Sequence, residues 1–249
     1  MKQAMIFAAG LGTRLRPLTD HCPKALVAVN GRPLLGHLLD RLREAGFERV
    51  VINVHHFGEQ IIDYVARFDH AGMELLISDE RDLLLDTGGG LRKALPLLQA
   101  DAPVLVHNVD IASDLDLRAF YDAHCRAAEA ETLGATLGVN VRTTSRYLLF
   151  DEGHRLCGWT NVQTGEVKSP YPDFNAASAL QRAFMGIHVV DPRLYPLLAE
   201  RPVAPFSIID FYLSVCGRIP LRGVDAPEGM RWVDAGKPEA LLRAAEIYR

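Results

Sequence analysis

Two glycines and three cations crowd one short stretch: Gly10, Gly12, Arg14, Arg16 and Lys24. The glycines let the backbone turn tightly and approach a ligand closely. Arginine forks, a lysine and a loop of N–H groups suit several phosphates at once. The expected ligand is a nucleoside triphosphate. The spacing is not the dinucleotide fingerprint, because Leu15 stands where the third glycine belongs, nor does it fit the lysine-ended Walker loop.

Three further chemical features fall at the ends of apolar runs. Asp86-Thr87-Gly88-Gly89-Gly90 opens a helical pattern, Asp110 follows Val104-Leu105-Val106, and Asp234 closes Arg231-Trp232-Val233. Ligands of open α/β sheets bind outside the carboxyl ends of the strands, so all four features are expected at one edge. The competing readings are a flexible helix entry for Asp86–Gly90 and capping roles for Asp110 and Asp234. His55, His56 and His107 read as strand-end polar residues rather than a metal set.

The elements that must position these residues alternate. Strands are expected at Ala4–Ala9, Arg49–Val54, Met73–Ser78 and Pro103–Asn108. Helices are expected at Pro33–Ala45, Glu59–Arg67, Gly90–Leu98 and Asp116–Ala130. Strands joined by helical crossovers imply a largely parallel sheet covered on both faces. The second half reads as short strands at Leu133–Val141, Tyr147–Phe150, Arg155–Trp159, Gly165–Lys168 and Gln181–Val190. Helices follow at Pro192–Leu198 and Ser207–Val215, then strands at Ile219–Gly223 and Arg231–Val233 and a closing helix at Lys237–Tyr248. Asp151-Glu152-Gly153 is a hairpin turn, Ser207 an N-cap, and Asp173–Ala179 a candidate mobile loop.

Composition narrows the class. The chain has 249 residues and 49% apolar content, enough for a sizeable core. The net charge of −4 gives no field favouring nucleic acid or an anionic membrane. No spanning segment or signal peptide is read. The four cysteines are scattered, which favours reduced thiols and a cytoplasmic setting.

Ala9–Thr19 with Pro23-Lys24 resembles the signature of the sugar-1-phosphate nucleotidylyltransferases. The resemblance runs on through Val27–Pro33, Thr87–Gly90, Asp110, Phe184–His188 and Trp232–Gly236. It implies a Rossmann-like three-layer α/β/α fold with a mixed, mainly parallel sheet and a β-rich sugar-binding insertion. One domain, 1–249, is expected, with a nucleotide-binding part at 1–132 and a sugar-binding part with the closing helix at 133–249. The implied reaction is attack by a sugar 1-phosphate on the α-phosphorus of a nucleoside triphosphate, with loss of pyrophosphate.

The resemblance also implies roles. Leu11, Gly12 and Thr13 would cradle the triphosphate, Arg14 would hold its β/γ end, and Lys24 would stabilise charge at the reacting phosphates. Asp110 and Asp234 would bind Mg²⁺, acting as Lewis acid and template. Asp86, Thr87 and Gly88 would meet the nucleobase, with Ser78 and Asp79 as weaker candidates. Gly186, Trp159 and Asp210 are the sugar-side candidates, Trp159 competing with a plain core role.

The sequence departs from the family twice. Val109 replaces the glycine before the metal aspartate, and the Glu-Lys-Pro element is absent, with Lys168 further on. Leu85–Leu98 resembles the N-acetylmuramate-1-phosphate uridylyltransferases, which makes UTP and that sugar phosphate the expected pair. Guanylyltransferases of mannose or heptose 1-phosphate share much of the segment. No aromatic cage for choline is evident, and the chain past Asp234 leaves no room for a left-handed β-helix. A non-catalytic nucleotide-sugar sensor is the competing class. It would be expected to lose Arg14, Lys24, Asp110 or Asp234, and all four are present.

Overall fold

The computed structural model describes residues 1–248. In chain order it forms β1 (Gln3–Phe7), a small hairpin of β2 (Ala28–Val29) and β3 (Arg32–Pro33), α1 (Leu34–Glu44), β4 (Arg49–Val54) and α2 (Gly58–Arg67). Next come β5 (Glu74–Asp79), α3 (Asp86–Ala94), β6 (Val104–Asn108), β7 (Ile111–Ser113) and α4 (Leu117–Glu131). The second half contributes β8 (Ala135–Asn140), β9 (Arg146–Phe150), β10 (Leu156–Asn161), β11 (Glu166–Lys168) and β12 (Leu180–Val190). It ends with α5 (Tyr195–Ala199), α6 (Ile208–Val215), β13 (Leu221–Asp225), β14 (Trp232–Asp234) and α7 (Pro238–Ile247).

β1 is central because Ala4, Met5 and Ile6 are fully buried and tolerate cover on both faces. It pairs in parallel with β4 and β6, and β4 pairs in parallel with β5. The antiparallel β12 joins the other side of β6 and carries β8 and β9 along its length. One ten-stranded sheet therefore runs through both halves. The expected β-rich insertion is continuous with the nucleotide-side sheet.

Helix α1 repeats leucine at helical spacing, and Leu34, Leu35, Leu38, Leu39 and Leu42 are all fully buried. Each such burial contributes about 1.5–3 kcal/mol before entropy. Helices α1, α2 and α4 cover one face of the sheet, while α3, α5 and α6 cover the other. A third, smaller cluster joins Leu15, Val27, Leu34, Val233 and Ala235 to Ala240 and Ala244 of α7. Leu15, the residue that spoils the dinucleotide fingerprint, thus docks the phosphate loop onto the β14–α7 segment.

Two expectations shift. The strand expected to run to Ala9 stops at Phe7, because the Ala8 and Ala9 N–H groups donate to the Asn53 side chain, at 2.7 and 3.2 Å. The third helix begins at Asp86, not Gly90, so the glycine triplet lies inside it. Asp86 enters with φ 58°. Close neighbours explain the glycines: a Cβ on Gly88 would lie 2.4 Å from the Phe206 ring, and one on Gly89 2.4 Å from the Ala204 carbonyl oxygen. Asp151–Gly153 does turn the antiparallel β9–β10 hairpin, and Ser207 does cap α6 through the Ile209 N–H. Within 173–179, Asn175 caps a single 3₁₀ turn at Ala176–Ser178. Among the described residues, no helix is long and apolar enough to cross a membrane.

Candidate active site

The phosphate loop is fixed from below. Gly12 sits at φ 66°, and its carbonyl accepts the Thr19 hydroxyl at 2.8 Å. Asn53 accepts the Ala8 and Ala9 amides and donates to Glu80 Oε1 at 2.8 Å. Glu80 is fully buried, and its Oε2 accepts the Leu85 N–H at 3.2 Å. Burial raises the Glu80 carboxyl above its ordinary range. A polar chain therefore ties the loop to the entry of α3. Leu11 and Arg14 stay exposed above it, with Gly12 between.

The four charged candidates converge. β14 pairs antiparallel with β7, placing Asp234 opposite Ile111, and the Ala235 N–H donates to the Asp110 carbonyl at 2.8 Å. The two aspartates are neighbours across a two-stranded ribbon. Lys24 Nζ pairs with Asp110 Oδ2, both side chains largely buried. Arg14 Nη1 lies 3.5 Å from Asp234 Oδ2, more openly. Gly236 sits among them: a Cβ there would be 2.6 Å from Arg14 Nη2, 2.7 Å from Asp234 Oδ1 and 3.0 Å from Lys24 Nζ.

Two adjacent carboxylates suit Mg²⁺. The ion takes hard oxygens, needs few protein ligands and fills its remaining positions with water and phosphate oxygens. No cluster of three or more His, Cys, Asp and Glu side chains occurs among the described residues.

A cavity of about 210 Å³ is lined by Ala9, Gly10, Asn53, Glu80, Asp86 and Thr87, together with Lys24 and Asp110. Thr87 Oγ1 accepts the Ile208 N–H at 3.0 Å, and the Gly88 N–H donates to the Phe206 carbonyl at 2.9 Å. Asp86 and Thr87 line the cavity, Thr87 also accepting the first N–H of α6, while Gly88 packs against Phe206. Asp79 lies away in an ion pair with Arg81, which holds its carboxyl down to about 2. Ser78 is buried in the strand.

The sugar-side candidates form two groups. Gly186 stands at φ 75° in a β12 irregularity between Phe184 and His188, where a Cβ would be 2.7 Å from Asn108 Nδ2. Asn108 also lines the 210 Å³ cavity, so Gly186 adjoins it. Trp159 lies opposite Lys168 in the β10–β11 pair. Lys168 Nζ is 5.2 Å from the Trp159 ring centroid and 3.0 Å from Asp210 Oδ1. Trp159 and Asp210 are therefore bridged by the lysine that follows the missing Glu-Lys-Pro element.

Val109 is buried, packing into the α1–α2–α4 core. His107 and His188 are fully buried and held down to about 3 chiefly by burial, so they are neutral core histidines. Asn53, Glu80, Arg142 and Gly236 were not assigned roles from sequence. The signal for the first two was polarity inside or at the end of an apolar strand.

A glycine-turned phosphate loop, a cation pair and two ribbon aspartates at the carboxyl edge of a parallel sheet define a class: enzymes handling nucleoside phosphates. Residues 3–249 match the family model described as nucleotidyl transferase. The chain belongs to the nucleotidyl transferase family. It is 36% identical to the N-acetylmuramate alpha-1-phosphate uridylyltransferase of Caulobacter vibrioides, across 98% of this chain and 95% of that protein. It is 34% identical to the mannose-1-phosphate guanylyltransferase catalytic subunit beta of Drosophila melanogaster, across 99% of this chain but 62% of that longer protein. In fold it is similar to HddC from Yersinia pseudotuberculosis complexed with GMP-PN, with TM-score 0.74 at 20% identity and full coverage of both chains. It is also similar to UDP-glucose pyrophosphorylase from Acinetobacter baumanii, with TM-score 0.76 at 16% identity, covering 100% of this chain and 93% of that one.

Proposed function

We propose that this nucleotidyltransferase joins a nucleoside triphosphate to a sugar 1-phosphate, releasing pyrophosphate, and that its pair is UTP and N-acetylmuramate 1-phosphate. The observation that carries the reaction class is the convergence of Arg14, Lys24, Asp110 and Asp234 around Gly236. The substrate pair is supported by the end-to-end likeness to the Caulobacter vibrioides enzyme.

Asp110 and Asp234 would hold Mg²⁺, which supplies charge neutralisation at phosphate oxygens when bound. Lys24 sits beside Asp110 and would stabilise the negative charge that develops between acceptor phosphate and α-phosphate. Arg14, more exposed, would grip the departing pyrophosphate. The Leu11, Gly12 and Thr13 amides would hold the triphosphate, held in place by Leu15 and Thr19. Asp86 and Thr87 would meet the base. Gly186, Trp159 and Asp210 would serve the sugar end, dividing the chain into nucleotide-binding 1–132 and sugar-binding 133–249. Positioning and charge carry such a reaction, because it asks little covalent chemistry of the protein.

The second reading is guanylyl transfer to mannose or heptose 1-phosphate, favoured by the match to the Drosophila melanogaster subunit. The test is pyrophosphate release with UTP, GTP, CTP and dTTP against N-acetylmuramate, N-acetylglucosamine, mannose and heptose 1-phosphates, each with Mg²⁺. Highest kcat/KM with UTP and N-acetylmuramate 1-phosphate is expected. A GTP preference would install the second reading, and no turnover with any pair would favour a sensor.

A further inference from the structure

An unassigned cavity of about 620 Å³ shares Asp234 with the candidate site, and its lining includes Asn140, Arg142, Trp232, Lys237 and Arg243. It has no lining residue in common with the 210 Å³ cavity. Its back wall is built, not accidental. Trp232 Nε1 donates to the Met185 carbonyl at 3.0 Å, and Arg142 Nη2 donates to the Phe184 carbonyl at 3.0 Å. The guanidinium stacks over the Trp232 ring, 4.6 Å from its centroid. Both anchors are the residues just before Gly186, so the stack stands over the β12 irregularity at the proposed sugar end.

Two polar atoms here are buried without a partner: Arg142 Nε, a donor, and Asn140 Oδ1, an acceptor. An unmet buried group costs about 1–3 kcal/mol, which a ligand that reached these atoms would recover. The Asp234 charge acts on Arg142. Lys237 and Arg243 add positive charge at the exposed rim, and Glu239 is the one other acid lining the cavity. A rigid planar cation beside an amide oxygen selects a ligand that presents a carboxylate and a neighbouring N–H or O–H.

We propose that Arg142 and Asn140 form the specificity subsite for a carboxylate-bearing substituent on the acceptor sugar. The assignment rests on the acceptor reading above. N-acetylmuramate carries a lactyl carboxylate beside its acetamido N–H, whereas N-acetylglucosamine has the same acetamido group and no carboxylate. The subsite reads that difference, so Arg142 is a specificity residue and not part of the phosphoryl-transfer machinery.

The experiment measures kcat/KM with UTP for the two sugar 1-phosphates in the wild type, Arg142→Gln, Arg142→Lys and Asn140→Ala, with thermal unfolding of each. The wild type should favour the carboxylate-bearing acceptor. Arg142→Gln should lower that preference by on the order of 10- to 100-fold, through KM more than kcat. Arg142→Lys should restore part of it, because charge survives while the planar fork is lost. An equal fall for both acceptors would overturn the proposal and assign Arg142 to a phosphate common to both or to the fold. An unchanged preference would overturn it as well. A wild type that ignores N-acetylmuramate 1-phosphate would refute the acceptor reading itself, an outcome visible before any variant is made.

Discussion

The Asp110 carbonyl accepts the Ala235 N–H at 2.8 Å, which locks Asp110 and Asp234, far apart in sequence, into one ribbon. Backbone pairing, rather than side-chain contact, sets their spacing. Replacing a carboxylate by its amide should therefore leave the ribbon intact and remove only charge. Asp110→Asn and Asp234→Asn are each expected to lower kcat by at least about 10²–10³, and to raise the Mg²⁺ concentration needed for half-maximal rate. Steady-state rates across a Mg²⁺ titration check this. Normal turnover with an unshifted Mg²⁺ midpoint in Asp110→Asn would sink the metal assignment.

Gly236 separates activity from stability. The three atoms nearest its added Cβ are the ends of the Arg14, Asp234 and Lys24 side chains, and the Arg14 and Lys24 side chains are long enough to swing away. Gly236→Ala should thus keep its melting temperature within about 2 °C while losing most of its turnover, because the charges are displaced from their working positions. A variant that melts early with normal specific activity would show that the glycine serves packing instead.

The sequence made the charged half of this site readable because short, rigid rules governed it. Glycines beside cations mark a tight, charged loop, an apolar run ending in aspartate marks a strand edge, and Ser207 before a helical pattern marks a cap. The polar chain beneath the loop was not readable. Asn53 and Glu80 are buried partners contributed by β4 and by the end of β5, and pairing between parallel strands is set by register across the sheet, which no local pattern encodes. The start of α3 was missed for a related reason. Three consecutive glycines lower helix propensity, yet Phe206 and Ala204 pack so close that only glycine fits. No local pattern marks Arg142, because its partners, Trp232 and Phe184, lie in distant strands.

That close packing makes Gly89 a stability residue. Alanine in a helix interior gains up to about 1 kcal/mol over glycine. Here its Cβ would press within 2.4 Å of the Ala204 carbonyl oxygen, a backbone atom with little room to yield. Overpacking of this kind costs about 1–3 kcal/mol, so Gly89→Ala should be net destabilising despite its better propensity. The expected drop in melting temperature is roughly 2–8 °C, read by calorimetry. A raised melting temperature would mean that the 204–206 segment moves aside freely.

The buried histidines give the protein an acid limit. His107 and His188 are each held down to about 3, mainly by burial, with the Arg41 charge adding to the effect at His107 and His107 adding to it at His188. His188 has neither ring nitrogen hydrogen-bonded and lies between Phe184 and the edge of Tyr212. Both folded values lie below the unfolded imidazole value of about 6.5. The unfolded chain therefore binds these protons first. Stability is fully present above about pH 6.5 and is lost as pH falls toward about 3. Between pH 7 and pH 5 the two groups together should remove on the order of 3–4 kcal/mol. In urea unfolding followed across that range, His188→Phe should roughly halve the part of the slope the two histidines supply, since one proton acceptor is gone from the unfolded state. An unchanged slope in that variant would mean that His188 takes up its proton equally in both states, against its burial among uncharged neighbours.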